Sequence, residues 1–228
     1  MTLAGPGAND PAQEWTRSFL ERHAEARATT LSVPPAGIDQ VLRDAADLIV
    51  LAEGSALASG LLRRAPRPLL FLPGVSRAAD APILALVDLS AESLAAAQRA
   101  IDLAATDGLG VELLHLFPIP YASARATRPD ARRGMAEFVR QLTRGGVTLT
   151  TRVELAAIGG YVALSAVAAI RAGRYSQVFI GSRRRSWWVA FLFGFAAQHI
   201  VRHAGLPVWV IRDDRPLGFL EAMGREQP

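Results

Sequence analysis

Short runs of consecutive apolar residues recur along the chain, and most are followed by a longer stretch with apolar positions three and four apart. An unbroken apolar run reads as a strand buried on both faces, and the spaced pattern as a helix with one face turned inward. The pattern predicts a helix from Gln13 to Ala26 and a short strand from Thr29 to Val33, stopped by Pro34 and Pro35. A helix from Ile38 to Ala45, a strand from Asp47 to Leu51, a helix from Ala56 to Arg64 and a strand from Pro68 to Leu72 follow. A second cycle opens with the strand Ile83 to Val87, the helix Ala91 to Thr106 ended by Gly108 and Gly110, and the strand Val111 to Phe117. Residues 122–132 read as a loop and Gly134 to Arg144 as a helix. Val147 to Glu154 alternates polar and apolar, as a half-exposed edge strand does. The helix Tyr161 to Ala172, the strand Gln177 to Ile180, the helix Val189 to His203 and the strand Val208 to Ile211 complete the series. The opening residues 1–12, small and rich in Gly and Pro, read as a disordered tail, and 214–228 as a second tail.

Strands alternating with helices of this length call for a parallel sheet covered on both faces. The series also repeats itself. Residues 63–72 align without a gap against 202–211, and Asp47 to Val50 aligns with Gln177 to Ile180. The first copy holds the later part of the unit and lacks its first two strands on this reading. From Ile180 to Pro207 the second copy spans 27 positions, where Val50 to Pro68 spans 18, so nine residues are missing from the first copy.

The segment GSRRRSWWVAFLFGFAAQHIVRHAGLPVWVIR, Gly181 to Arg212, and the strand end Ile83 to Ser90, where Asp88 is followed two residues later by Ser90, resemble the universal stress protein family. The resemblance covers residues 80–213 as a complete domain and 13–76 as a truncated half-domain. It implies an α/β fold of Rossmann-like, adenine-nucleotide-hydrolase type: a doubly wound, parallel five-stranded sheet in the order 3-2-1-4-5, with the half-repeat in front. ATP-binding members of the family carry Gly-x2-Gly-x9-Gly-Ser/Thr after the fourth strand. Glycines let the backbone approach the phosphates, and helix-start amides with a hydroxyl supply donors. Here Gly181 and Gly194 occupy the first and third glycine positions, Arg184 replaces the second, and Phe195 replaces the Ser/Thr. The implied site is therefore Asp88, Ser90, Gly181, Ser182, Arg184, Gly194 and Phe195. Asp88 stands where family members meet adenine, though Asp88 and Ser90 also suit a helix cap. In the half-domain the missing nine residues fall where the phosphate loop belongs, so it cannot hold a nucleotide alone.

Charge and composition narrow the partners. Net charge is +4, and all 25 basic residues are arginine, scattered except for Arg183 to Arg185. That distribution offers little to a nucleic acid, which is not expected as a partner. No cysteine is present, which excludes disulfides and thiol chemistry and fits a reducing compartment. The longest apolar run, Trp187 to Ala197, falls short of the roughly 20 residues that span a bilayer. With no leader visible, a cytoplasmic protein is expected. His199 and His203 share a helical face, but Ile200 replaces the zincin glutamate and no third ligand is evident, so no metal is expected. No GxSxG, Walker A or HExxH motif is present.

Three functions stay open. The first is a non-enzymatic stress-response or regulatory module with a degenerate ATP loop and no cofactor. The second is an ATP- or AMP-binding sensor using Asp88 and the Gly181–Gly194 loop, with weak nucleotide binding and at most slow hydrolysis. The third is an adaptor that binds a protein or a membrane surface through Arg183 to Phe195. Family dimers pair through their fifth strands, so the resemblance implies either a homodimer or an intramolecular pseudo-dimer in which Leu69 to Leu72 covers Val208 to Ile211. A regulatory protein partner of unknown identity is also expected.

Overall fold

The computed structural model describes residues 2–4, 17–19, 21, 29–31, 38–43, 47–52, 54–73, 80–117, 128–143, 145–156, 162–182 and 196–212. The strands are β1 (Thr2–Ala4), β2 (Thr29–Leu31), β3 (Ile49–Ala52), β4 (Leu69–Leu72), β5 (Ile83–Val87), β6 (Val111–Phe117), β7 (Leu149–Leu155), β8 (Val178–Gly181) and β9 (Val208–Ile211). The helices are α1 (Ile38–Arg43), α2 (Ala58–Arg64), α3 (Ala91–Asp107), α4 (Arg128–Arg140), α5 (Val162–Ala172) and α6 (196–203). Residues 17–19 and 21, inside the first expected helix, are helical as well.

The nine described strands join one sheet in the order β2-β1-β3-β4-β9-β8-β5-β6-β7. Its second half, read from β7 inward, has the 3-2-1-4-5 order of the complete unit. Every pairing is parallel except that of β4 with β9, where the two units meet antiparallel. The strands alternate faces, so each feeds two cores. Leu70, Leu72, Ala85, Phe179 and Trp209 face Phe19, α3 and α4, while Leu69, Phe71, Leu84, Ile180 and Val208 face α1, α2, α5 and α6. Burial on both faces is why these strands are continuous apolar runs.

The junction has the symmetry of a dimer interface. The repeat maps residues 63–72 onto 202–211, an offset of 139, so Leu70 is equivalent to Trp209. The observed register pairs Leu70 with Trp209, Leu69 with Val210 and Phe71 with Val208. A strand pairing with its own repeat about a twofold axis gives this register. Carrying the offset back along the helices makes Ser59 equivalent to Gln198, and the Gln198 amide donates to the Ser59 hydroxyl at 2.7 Å. Arg212 closes the same seam by donating to the Ala65 carbonyl at 3.0 Å. Trp209 is 1% exposed, stacks on Phe179 at 5.2 Å, lies 6.1 Å from Phe19 and donates to Gln177 at 2.6 Å.

Two expectations change. The tail assigned to residues 1–12 contains a strand, β1, which lies between β2 and β3. The first unit therefore keeps β1 and β2 in the places that β5 and β6 hold in the second, and neither of the two strands expected to be missing is absent. Three residues flanked by Gly5-Pro6-Gly7 make too short an apolar run to read as a strand; ladders on both sides supply what the pattern lacks. The loop expected at 122–132 is helical from Arg128 onward, and α4 ends at Arg140, short of Arg144. Pro129 and Asp130 suit a first helical turn, but apolar spacing begins only at Met135, so periodicity located the start late.

Candidate functional site at the carboxyl ends of β5 and β8

β5 and β8 are adjacent, and their chains leave in opposite directions, β5 toward β6 and β8 toward β9. Such a switch point opens a crevice at the carboxyl ends of the strands. Asp88, Ser90, Gly181 and Ser182 all stand there. Arg184, Gly194 and Phe195, with Trp187, Trp188 and the Arg183–Phe195 segment, lie outside the described residues.

Asp88 and Ser90 form the start of α3. Ser90 is the N-cap: its hydroxyl accepts from the Ser93 amide at 3.2 Å, and the Ser93 hydroxyl accepts from the Ser90 amide at 3.0 Å. This reciprocal box satisfies two donors that a helix start leaves unpaired. Asp88 extends it, accepting from the Ser90 amide at 3.1 Å and from the Ser90 hydroxyl through Oδ1. The capping role is thus formed at both residues.

The turn between them is strained. Leu89 has φ 63, in the left-handed region, which costs a residue with a Cβ about 1 kcal/mol. Its side chain packs on the core beside α3 and α4 and reaches toward Gly134, where an added Cβ would lie 2.9 Å from Leu89 Cδ1. His115 steadies the strand end before this turn. It is buried on β6 opposite Val87, stacks on Phe117, and its Nδ1 lies 2.8 Å from the Val87 carbonyl. A carbonyl only accepts, so Nδ1 carries the proton and donates. Sequence reading passed over His115, although a lone polar ring in the run Val111 to Phe117 was the available signal.

Gly181 ends β8 against the first turn of α3. A Cβ there would lie 2.5 Å from the Glu92 carbonyl oxygen and 2.6 Å from the Ser93 amide nitrogen, both rigid backbone. Glycine is thus required here for strand and helix to meet. The next residue, Ser182, donates its amide to the Ile211 carbonyl at 2.8 Å and prolongs the β8–β9 ladder.

Elsewhere two polar groupings stand out. The His199 and His203 rings lie 4.4 Å apart on α6, and the Arg171 guanidinium donates to the His203 carbonyl at 3.2 Å. Partial burial, then the positive charge of His203 and Arg171, pushes the His199 imidazole down from its ordinary value. Among the described residues no group of three side chains is placed to hold a metal ion. On the α5 side of the sheet edge, Arg152 pairs with Glu112 at 2.9 Å and Glu154 at 3.5 Å and donates to the Tyr175 hydroxyl at 3.2 Å. Burial first, and the Glu112 carboxylate second, push the Tyr175 phenol up to about 12. Among the described residues no helix is long and apolar enough to cross a membrane.

Comparison with known proteins places this geometry. The model of the universal stress protein family matches residues 81–212. A universal stress protein of Archaeoglobus fulgidus DSM 4304 superposes with a TM-score of 0.60 at 16% identity, over 90% of this chain and 77% of that one. A functionally unknown protein of Pseudomonas aeruginosa PAO1 superposes with a TM-score of 0.60 at 16% identity, over 99% of this chain and 86% of its own. No curated protein matches the sequence. The family match spans more than half the chain and the switch-point crevice, so the chain belongs to the universal stress protein family.

Proposed function

We propose that this chain is a non-enzymatic regulatory module of the stress response whose nucleotide site has degenerated. It comprises a complete domain at 80–213 and a truncated partner at 13–76, to which Thr2–Ala4 adds a strand. The observation that carries the reading is Gly181. Where Gly181, Asp88 and Ser90 match the ATP-binding pattern, the backbone of α3 and its capping box account for all three residues without a nucleotide. The motif positions that a phosphate would need beyond them hold Arg184 and Phe195. A Cβ at the one and a phenyl ring at the other remove a backbone approach and a hydroxyl donor.

A second reading, an ATP- or AMP-binding sensor, is favoured by one observation: Asp88 is exposed at the carboxyl end of β5, directly at the switch point. Mass spectrometry of small molecules released from the denatured protein, with calorimetric titration of ATP and AMP, separates the two. The regulatory reading expects no stoichiometric nucleotide and no micromolar binding. It also expects Arg184→Gly combined with Phe195→Ser to gain ATP affinity. One nucleotide per chain in the wild type would establish the sensor instead.

A further inference from the structure

The dimer-like junction leaves β2 and β7 at the two edges of the described sheet, and β7 borders a groove. The groove has a volume of about 690 Å³ and lies between β7 and α4. Its apolar floor includes Met135 and Val139 from the helix and Leu149 and Val153 from the strand. Its cationic lining includes Arg132 and Arg140, and among the described residues no carboxylate lines it. The Val111 amide donates to the Thr148 carbonyl and the Ala156 amide to the Phe117 carbonyl, so even-numbered residues of β7 bond to β6. By the period of two along a strand, the amides and carbonyls of Leu149, Thr151, Val153 and Leu155 point away from the sheet. Among the described residues no strand pairs with that side. The same odd-numbered side chains Leu149, Thr151 and Val153 face the groove.

The geometry points to a docking site for an extended acidic polypeptide segment, which adds to β7 as a further strand. Its alternate side chains enter the groove, and among them apolar ones meet Met135 and Val139 while carboxylates meet Arg132 and Arg140. Main-chain pairing supplies the attachment and the pockets supply the selection. The charges favour an acidic occupant. No described carboxylate pairs with Arg132, and Arg140 meets Glu137 only at 3.8 Å with both side chains about 70% exposed, a pairing that a partner can replace. The charges also disfavour a second copy of this chain. Pairing two β7 edges about a twofold axis normal to the sheet brings two α4 helices together across the groove. Each carries Arg128, Arg132, Arg133 and Arg140 against Asp130 and Glu137. The site is separate from the switch-point crevice and stands whether or not a nucleotide binds.

The test uses the full chain and three fluorescent ten-residue peptides followed by polarisation: a Val/Glu peptide with Val and Glu in turn at the groove-facing positions and Thr between them, the same peptide with Lys for Glu, and the same peptide with Pro for Thr. The last keeps the charge of the first but cannot form a ladder. The Val/Glu peptide is expected to bind at least tenfold more tightly than either control. Arg132→Glu with Arg140→Glu, on exposed positions, is expected to weaken it at least tenfold. In the wild type, bound peptide should shift the amide resonances of Leu149, Thr151, Val153 and Leu155. Absence of binding by the Val/Glu peptide, equal binding by either control, or amide shifts confined to other strands would overturn the assignment. So would sedimentation showing a dimer that buries the Leu149 to Leu155 amides, since a second copy would then hold the edge.

Discussion

A methyl group added at Gly181 would lie 2.5 Å from the Glu92 carbonyl oxygen, and neither strand nor helix backbone can step aside at small cost. Gly181→Ala should therefore lower stability by about 1–3 kcal/mol, toward the upper end because the contact is backbone. Urea denaturation without ligand measures it, and the loss should be the same with ATP present. A loss seen only with ATP would return Gly181 to the phosphate loop. Tyr175 offers a second test at this scale. Its phenol is raised from 10.0 to about 12, so the folded state holds the proton more tightly than the unfolded chain does. The associated stability is complete below about pH 10 and is lost as pH rises toward 12, by about 2–3 kcal/mol. Urea midpoints at about pH 9 and about pH 11.5 should fall further for the wild type than for Tyr175→Phe. Equal falls would mean that burial does not shift the phenol.

The start of α3 gathers a cap, a carboxylate and a strained leucine within three residues, Asp88 to Ser90. Ser90→Ala removes the acceptor for the Ser93 amide and should cost about 1 kcal/mol in thermal or urea unfolding. Unchanged stability would show that Ser93 and water satisfy the helix end without Ser90. Elements like α3 were legible because each local signal agrees: an apolar strand, Asp-x-Ser, alanine-rich spacing and a Gly108 cap at φ 68. β7 was legible because its half-exposed edge writes alternation into Val147 to Glu154. α4 was misplaced because its first turn carries Pro129 and Asp130, which satisfy helix-start chemistry but are exposed. In the crevice, residue types were legible and causes were not. Asp88 and Gly181 could be picked out from the sequence, but the pressure of α3 on Gly181 and the His115 bond to Val87 are long-range contacts that no local pattern records.

At the scale of the whole molecule, the repeat foretold the seam between the units, because a strand that pairs with its own copy writes that pairing into the sequence twice. Leu70 opposite Trp209 and Ser59 bonded to Gln198 are equivalent positions meeting across one axis. β1 escaped notice because a three-residue strand holds its place through neighbours that the sequence puts 25 or more positions away. The seam also covers what a solitary complete domain would expose. Removing residues 1–76 strips β4 from β9, uncovers the outward amides and carbonyls of that strand, and takes Phe19 away from Trp209. An uncovered edge of the residues Val208 to Ile211, all apolar, is a template for another chain. The truncated protein should therefore either dimerise through β9 in the register now used by β4, or aggregate. Size-exclusion chromatography with light scattering distinguishes these states, and hydrogen exchange at Val208 to Ile211 reports whether the strand is covered. In a dimer those amides should stay protected, whereas a monodisperse monomer with fast exchange there would mean that the half-domain is not needed to cover the edge.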